Sequence, residues 1–296
     1  MTESGATVQQ IEVPRSGETP EACIARIAAL GEFATTPCGD GEMVWRIFGD
    51  GPPLLLCHGG FGRWTHWIRN VEFLSRHFSL YVPDLPGHGD SAVPPEPFSG
   101  PGVAAAVADG MDTLLPAGKR YHVAGFSFGG IIGGCLAGAQ GDRVETLTIC
   151  GSNGLGLARG EVTGLRHWRG VDDPAEIAAI HRNNLSKVMF GSADKIDDLA
   201  VHMQTVNVVD ARVKGRLVAV TNVLAEMLPK VSARLAGIWG GADCYARDYM
   251  DERRALFRAA QADAPFHVIG GAGHWMMYET PAEFHSVFLK SLAERR

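Results

Sequence analysis

The stretch Gly125-Phe126-Ser127-Phe128-Gly129, followed by Gly130, stands where a strand-like pattern gives way to a helix-like one. A serine at such a junction is placed to act as a nucleophile. The backbone must turn so tightly at Ser127 that side chains two residues to either side would collide, which asks for glycine at both places. The turn would lift the hydroxyl above a sheet and aim the start of the next helix at a negative oxygen formed beside it. With 37 glycines in the chain, a chance Gly-x-Ser-x-Gly has an expectation of about 0.2, so the competing reading is an incidental serine in a glycine-rich turn. The strand before and the helix after decide for chemistry.

A serine oxygen attacks poorly unless a base takes its proton and a third group steadies that base. Two later strand ends supply both. Trp239-Gly240-Gly241-Ala242-Asp243 sets an acid just past one strand, and Gly270-Gly271-Ala272-Gly273-His274 sets an imidazole in a glycine-rich loop. The order Ser127, Asp243, His274 is one in which this trio occurs on a parallel sheet. All three fall at carboxyl ends of strands, where such sheets gather their ligands. Of the eleven histidines, His77, His122 and His267 read as surface or strand residues, and His181 and His202 as helix residues. Asp248 and Asp251 compete with Asp243 but fall inside the following helix, and for Asp243 itself the competing role is a helix cap.

An oxyanion needs two backbone N–H donors. The amide of Phe128 is one candidate. The other comes from the loop His58-Gly59-Gly60-Phe61-Gly62, with Gly60 first and Phe61 second. His58 has no His, Asp or Glu partner at metal-ligand spacing, so it is expected to hold the loop rather than a metal. Gly154-Leu155-Gly156 follows a strand as a dinucleotide loop does, but the third glycine is off-spacing and no long βαβ unit follows. The pattern calls for neither a metal nor an organic cofactor.

These residues need a scaffold of alternating strands and helices. Strand patterns run over residues 42–48, 53–57, 78–82, 120–125 and 144–150, and helical ones over 64–77, 103–115 and 129–140. The fully apolar Leu54-Leu55-Leu56-Cys57 suits the middle of a parallel sheet. From Gly151 to about Lys230 only helical patterns appear. Asp173-Pro174-Ala175-Glu176 reads as a helix start. Ile196, Leu199, Ala200, Met203 and Val206 form one stripe, and Leu217, Val220, Leu224 and Met227 another. Alternation resumes with a strand at 235–239, a helix at 247–261, a strand at 266–269 and a helix from Pro281. The expected division is an N-terminal arm and short helix over 1–30, loose to Pro20, an α/β core over 31–151 and 231–296, and a helical cap over 152–230. Trp64, Trp67 and Phe61 suit either a pocket lining or ordinary core.

At 46% hydrophobic and 20% charged residues the 296-residue chain has a globular composition. A net charge of −6 and the lack of any Lys/Arg-rich run argue against nucleic acid or an anionic membrane as partner. No apolar run reaches the ~18 residues of a membrane span. The polar first twenty residues lack a signal-peptide layout, and the six cysteines form no CxxC pair, so a cytoplasmic protein with reduced thiols is expected. The oligomeric state leaves no mark.

Taken together, His58-Gly59-Gly60, Asp84-Leu85-Pro86-Gly87-His88-Gly89-Asp90-Ser91, Gly125 to Gly130, Gly240-Gly241-Ala242-Asp243 and Gly273-His274-Trp275 resemble the α/β-hydrolase superfamily over about residues 42–296. The resemblance implies a doubly wound, mostly parallel sheet with a helical cap. It also implies a serine hydrolase cleaving an ester or related acyl bond of a small, fairly apolar molecule through an acyl-enzyme. Serine at position 127 separates the chain from the haloalkane dehalogenase and epoxide hydrolase branches, which carry Asp there. His274-Trp275 is similar to the ending of the meta-cleavage-product hydrolases, which cleave a carbon–carbon bond in dienone acids. Those enzymes typically have Asn where Phe126 stands, and only Arg166 and Arg169 offer stand-ins for the arginine they use on the substrate carboxylate. Phe61 and Trp275 are expected to touch substrate. A lactonase, a thioesterase and a non-catalytic small-molecule receptor are the remaining alternatives, because one fold hosts many functions.

Overall fold

The computed structural model describes residues 11–94, 96–213 and 215–293. Its strands are β1 (Glu32–Cys38), β2 (Gly41–Phe48), β3 (Pro53–Cys57), β4 (Ser79–Pro83), β5 (Tyr121–Phe126), β6 (Val144–Cys150), β7 (Arg234–Gly240) and β8 (Phe266–Ile269). They form one sheet in the order β1-β2-β4-β3-β5-β6-β7-β8. From β4 to β8 all neighbours are parallel, while β2 runs antiparallel to both β1 and β4. The helices are α1 (Pro20–Ala28), α2 (Ile68–Leu74), α3 (Gly100–Leu114), α4 (Phe128–Gln140), α5 (Pro174–Val188), α6 (Asp198–Asp210), α7 (Gly215–Ala219), α8 (Val223–Met227), α9 (Met250–Ala260), α10 (Met276–Glu279) and α11 (Pro281–Ala293). The doubly wound α/β architecture expected from the sequence is the one observed.

The apolar β3 shows why the sheet is central. All five of its residues are buried. Successive side chains point to opposite faces, so Leu54 and Leu56 enter a core with Trp67, Phe284 and Phe288, whereas Leu55 and Cys57 enter another with Val107, Ile131 and Ile132. Each such leucine contributes roughly 1.5–3 kcal/mol by leaving water. Two cores, one per face, fix the height of every strand end, and with it the place of the loops that follow.

Some elements differ from the sequence patterns. β1 had no signal, because it is an edge strand with Phe33 61% exposed and with Pro37 in its body, so neither an apolar run nor clean alternation marks it. The helix expected over 64–77 opens as a 3-10 turn at Trp64–Trp67 and ends at Leu74. The stripe from Leu217 to Met227 is broken into α7 and α8. At the break the Thr221 hydroxyl donates to Val218 O at 2.7 Å and accepts from Val223 N–H, local bonds that compete with helix continuation. The loose arm expected up to Pro20 falls partly on residues 1–10, outside the described chain. From Ile11 onward the chain is fastened: Val13 is buried, and the Glu18 carboxylate takes Arg26 and the Arg15 N–H.

Between β6 and β7 the described residues form α5 to α8 and no strand. α5 starts as read, with the Asp173 carboxylate accepting from Ala175 N–H at 3.0 Å and Pro174 in its first turn. α6 buries Leu199, Ala200 and Met203. Among the described residues no helix is long and apolar enough to cross a membrane.

Candidate active site

Ser127 sits between β5 and α4 with φ 52° and ψ −113°, a left-handed conformation costing a non-glycine residue of order 1–3 kcal/mol. The surroundings enforce it. Ser127 N–H donates to Cys150 O at the end of β6, and the Ser152 hydroxyl donates to Ser127 O at 2.6 Å. A Cβ on Gly125 would lie 2.3 Å from Gly129 O, and one on Gly129 would lie 2.4 Å from Cys57 O. Both flanking glycines are therefore required by close backbone approach, as the spacing predicted.

The hydroxyl meets the two partners the sequence offered. His274 Nε2 is 3.0 Å from Ser127 Oγ, and His274 Nδ1 is 2.7 Å from Asp243 Oδ2. Asp243 and His274 are almost fully buried. An ionised carboxylate only accepts, so the Nδ1 proton faces Asp243 and Nε2 is left to accept from the serine. The other Asp243 oxygen accepts from Tyr245 N–H at 2.9 Å, which fixes the carboxylate plane. Asp243 also begins a turn, its carbonyl receiving Ala246 and Arg247 N–H. It is not the N-cap of either helical segment that follows, those caps being Ala246 and Tyr249. The rings of Phe126 and Tyr245 flank the imidazole at centroid distances of 5.0 and 5.2 Å.

The loop after β3 is held by two histidines. Leu85 N–H donates to His58 Nε2 at 2.8 Å, so the His58 proton resides on Nδ1, 2.8 Å from Gly59 O. Gly59 N–H donates to His66 Nδ1 at 3.2 Å. Burial, aided by neighbouring imidazoles, pushes His58 well below the usual histidine range and His66 down to about 3, so both are neutral and can accept. With the Gly59 amide occupied, those of Gly60 and Phe128 donate to no described residue. The two residues are adjacent: a Cβ on Gly60 would lie 3.7 Å from Phe128 Cβ. His58 thus holds the loop, as expected. His66 carries no sequence signal of this role, because a histidine inside an aromatic helical pattern looks like core.

A cavity of about 810 Å³ opens over Ser127. Gly60, His66, Phe126, Phe128 and His274 line it together with Ser127. Leu185, Val188 and Met189 of the helical stretch, with Val208 and Ala219, add apolar wall. Arg159, Glu161, Arg169, Asn184 and Gln204 also line it. Phe61, expected to touch substrate, borders this cavity, 47% exposed and with φ 55°. Trp275, expected as a pocket wall, is instead turned into the core. Its indole N–H donates to His66 O at 2.9 Å and its ring stacks on Tyr278 at 4.2 Å, an arrangement that satisfies the donor while burying the ring. Trp64 and Trp67 are core as well. Arg166 lies in an adjoining 360 Å³ pocket, 3.8 Å from Glu176.

Comparison with known proteins agrees with this architecture. The pimeloyl-[acyl-carrier protein] methyl ester esterase of Aeromonas salmonicida is 33% identical over 119 residues, 40% of this chain and 44% of that protein. The matched stretch thus spans less than half the length of that relative. A bacterial membrane phospholipase A superposes with a TM-score of 0.71 at 21% identity, covering 93% of each chain. A meta-cleavage product hydrolase from Pseudomonas fluorescens superposes with a TM-score of 0.70 at 19% identity, covering 88% of this chain and 97% of that one. At such identities the superpositions speak for the fold. The family model of the alpha/beta hydrolase family matches residues 54–287, a span that runs from β3 past His274, and the chain belongs to that family.

Proposed function

We propose that the protein is a serine hydrolase that cleaves an ester or related acyl bond through an acyl-enzyme. The observation that carries this reading is the unbroken chain Ser127 Oγ to His274 Nε2 at 3.0 Å and His274 Nδ1 to Asp243 at 2.7 Å, opening on a cavity. His274 takes the Ser127 proton as the oxygen attacks the carbonyl carbon, and Asp243 stabilises the imidazolium. The carbonyl oxygen becomes negative and is held by Gly60 and Phe128 N–H, each such donor contributing about 2.7–4 kcal/mol to the barrier. His274 then protonates the leaving group. A water deprotonated by the same nitrogen attacks the acyl carbon and frees the acid. The helical stretch over 152–230 acts as a cap whose wall excludes bulk water.

The lining favours a substrate with both apolar and polar parts. Phe126, Phe128, Leu185 and Val188 suit the apolar part, and Arg159, Arg169, Asn184 and Gln204 suit polar groups on it. Phe126, 5.0 Å from the imidazole, brings no polar group to the scissile bond. Of the two arginines weighed for a substrate carboxylate, Arg169 lines this cavity and Arg166 does not, so a dienone acid is the substrate to set against esters. The test is hydrolysis of an aryl ester panel and of a dienone acid by the parent and by Ser127→Ala. The expected result is ester turnover that falls at least about 10³-fold in the variant, with the fold kept by circular dichroism. Parent-like turnover by Ser127→Ala would overturn the reading, and turnover of the dienone acid alone would move it to carbon–carbon cleavage.

A further inference from the structure

Glu279 is a buried carboxylate that the proposed catalytic steps do not use. Glu279 ends the single turn α10, five residues after His274, and is only 5% exposed. Its Oε2 accepts from Gly273 N–H at 2.7 Å and from Gly191 N–H at 2.9 Å, while Oε1 accepts from Ser192 N–H at 2.9 Å. Gly273 immediately precedes the catalytic imidazole. Gly191 and Ser192 lie just after α5, the helix whose Leu185, Val188 and Met189 line the cavity. On the other side of His274, Trp275 N–H donates to Met189 O at 2.8 Å. The residues on both sides of His274 are therefore tied to residues 189–192, Trp275 directly and Gly273 through Glu279.

The two segments touch backbone to backbone. A Cβ on Gly273 would lie 2.3 Å from Gly191 N, and one on Gly191 would lie 2.1 Å from Gly271 O. Apolar packing could hold α10 down without directing anything, and it would avoid the cost of taking a carboxylate out of water. Three N–H donors converging on one carboxylate do more: they fix the relative position of two loops in three directions.

We propose that Glu279 is the positioning residue that makes the His274 loop and the Met189–Ser192 segment one body. Substrate pressing on the Leu185–Met189 wall and the imidazole facing Ser127 are then held in a single geometry. This inference rests on the reading of Ser127 and His274 as nucleophile and base. Glu279→Gln keeps the shape but replaces one acceptor by a donor, so an amide N–H now faces a backbone N–H and the cradle opens.

The experiment compares the parent, Glu279→Gln, Ser127→Ala and Phe288→Leu, a core substitution in α11 outside the cavity lining that serves as the reference for a plain loss of stability. Three quantities are read: thermal midpoint, ester kinetics, and the low-field proton resonance of the hydrogen bond between His274 Nδ1 and Asp243. Glu279→Gln is expected to lose about tenfold or more in kcat, since small misplacement of a base is costly. Its KM stays within about twofold, and the low-field resonance broadens or vanishes. Phe288→Leu, compared below its midpoint, keeps both kcat and the resonance. A Glu279→Gln protein with parent kcat and an intact resonance overturns the proposal and leaves the serine reading standing. An active Ser127→Ala defeats that reading, and the inference with it. Should Glu279→Gln not fold, Glu279→Asp, which withdraws both oxygens by one carbon, is expected to show the same split between kcat and KM, and its absence there overturns the proposal equally.

Discussion

Residues 58, 66 and 88 place three imidazoles within one buried cluster, with ring centroids of His58 6.1 Å from His66 and 5.2 Å from His88. Burial holds His66 down to about 3 and His88 down to about 4, and His58 lies well below its usual range. The cluster works only while neutral, because protonation removes the acceptors that hold Leu85 and Gly59 N–H. His285, stacked on Phe73 at 4.1 Å, is likewise pushed down to about 4 by burial. A base whose pKa is lower folded than unfolded takes fewer protons when folded, so these groups' stabilisation is complete above the ordinary value of 6.5 and is lost as pH falls from there through the folded values. Asp84, raised by burial against its bonds from Trp64 and Asp90 N–H, acts in the opposite sense, but it is one group against these four and against His122 and His181, which burial also lowers. The urea midpoint is therefore expected to fall steadily from pH 7 to pH 4.5, by an amount worth several kcal/mol. His88→Asn, which cannot titrate, should flatten that slope. A midpoint that does not change over this range would contradict the burial of neutral imidazoles.

At the level of elements, the site depends on three chain segments that approach to backbone contact: the end of β3, the turn at Ser127 and the start of α4. Gly129→Ala would set a methyl group 2.4 Å from Cys57 O and 2.6 Å from His58 O. Neither atom is a flexible side-chain tip, so overpacking of about 1–3 kcal/mol is expected, read as a lower thermal midpoint. Gly270→Ala, where a Cβ meets nothing within 4 Å, is the matched comparison and should barely move it. Equal midpoints for the two would show that the elbow is not tightly packed. The elements that carry Ser127, Asp243 and His274 were legible in the sequence because each is an apolar strand ending in a glycine-rich turn, a signal local in the chain. β1 was not legible, since an edge strand with Pro37 and an exposed Phe33 has no periodicity of its own. Nor was the direction of Trp275: its place in the core is set by His66 O and Tyr278, one of them 209 residues away in sequence. His66 carries no signal because it reads as core within an aromatic helical pattern, and Glu279 none because two of its three amide partners, Gly191 and Ser192, lie 88 and 87 residues away.

At the scale of the whole molecule, the sheet and the helical stretch between β6 and β7 contribute opposite walls of one 810 Å³ cavity. The sheet side brings the hydroxyl, the imidazole and the Gly60 and Phe128 amides, which donate to no described residue. The helical side brings Leu185, Val188 and Met189 together with Arg169 and Asn184. On the proposed reading, chemistry is fixed by strand ends and substrate selection falls to the helices, a division that lets one core serve many substrates. The central claim is that an acyl group resides on Ser127 during turnover. It is tested most directly by acid-quenching the enzyme while it turns over an aryl ester, then mapping any added mass by proteolysis and mass spectrometry. The account predicts one acyl increment on the peptide containing Ser127, absent in Ser127→Ala. Product formation with that peptide unmodified, or with the increment on another residue, would contradict it.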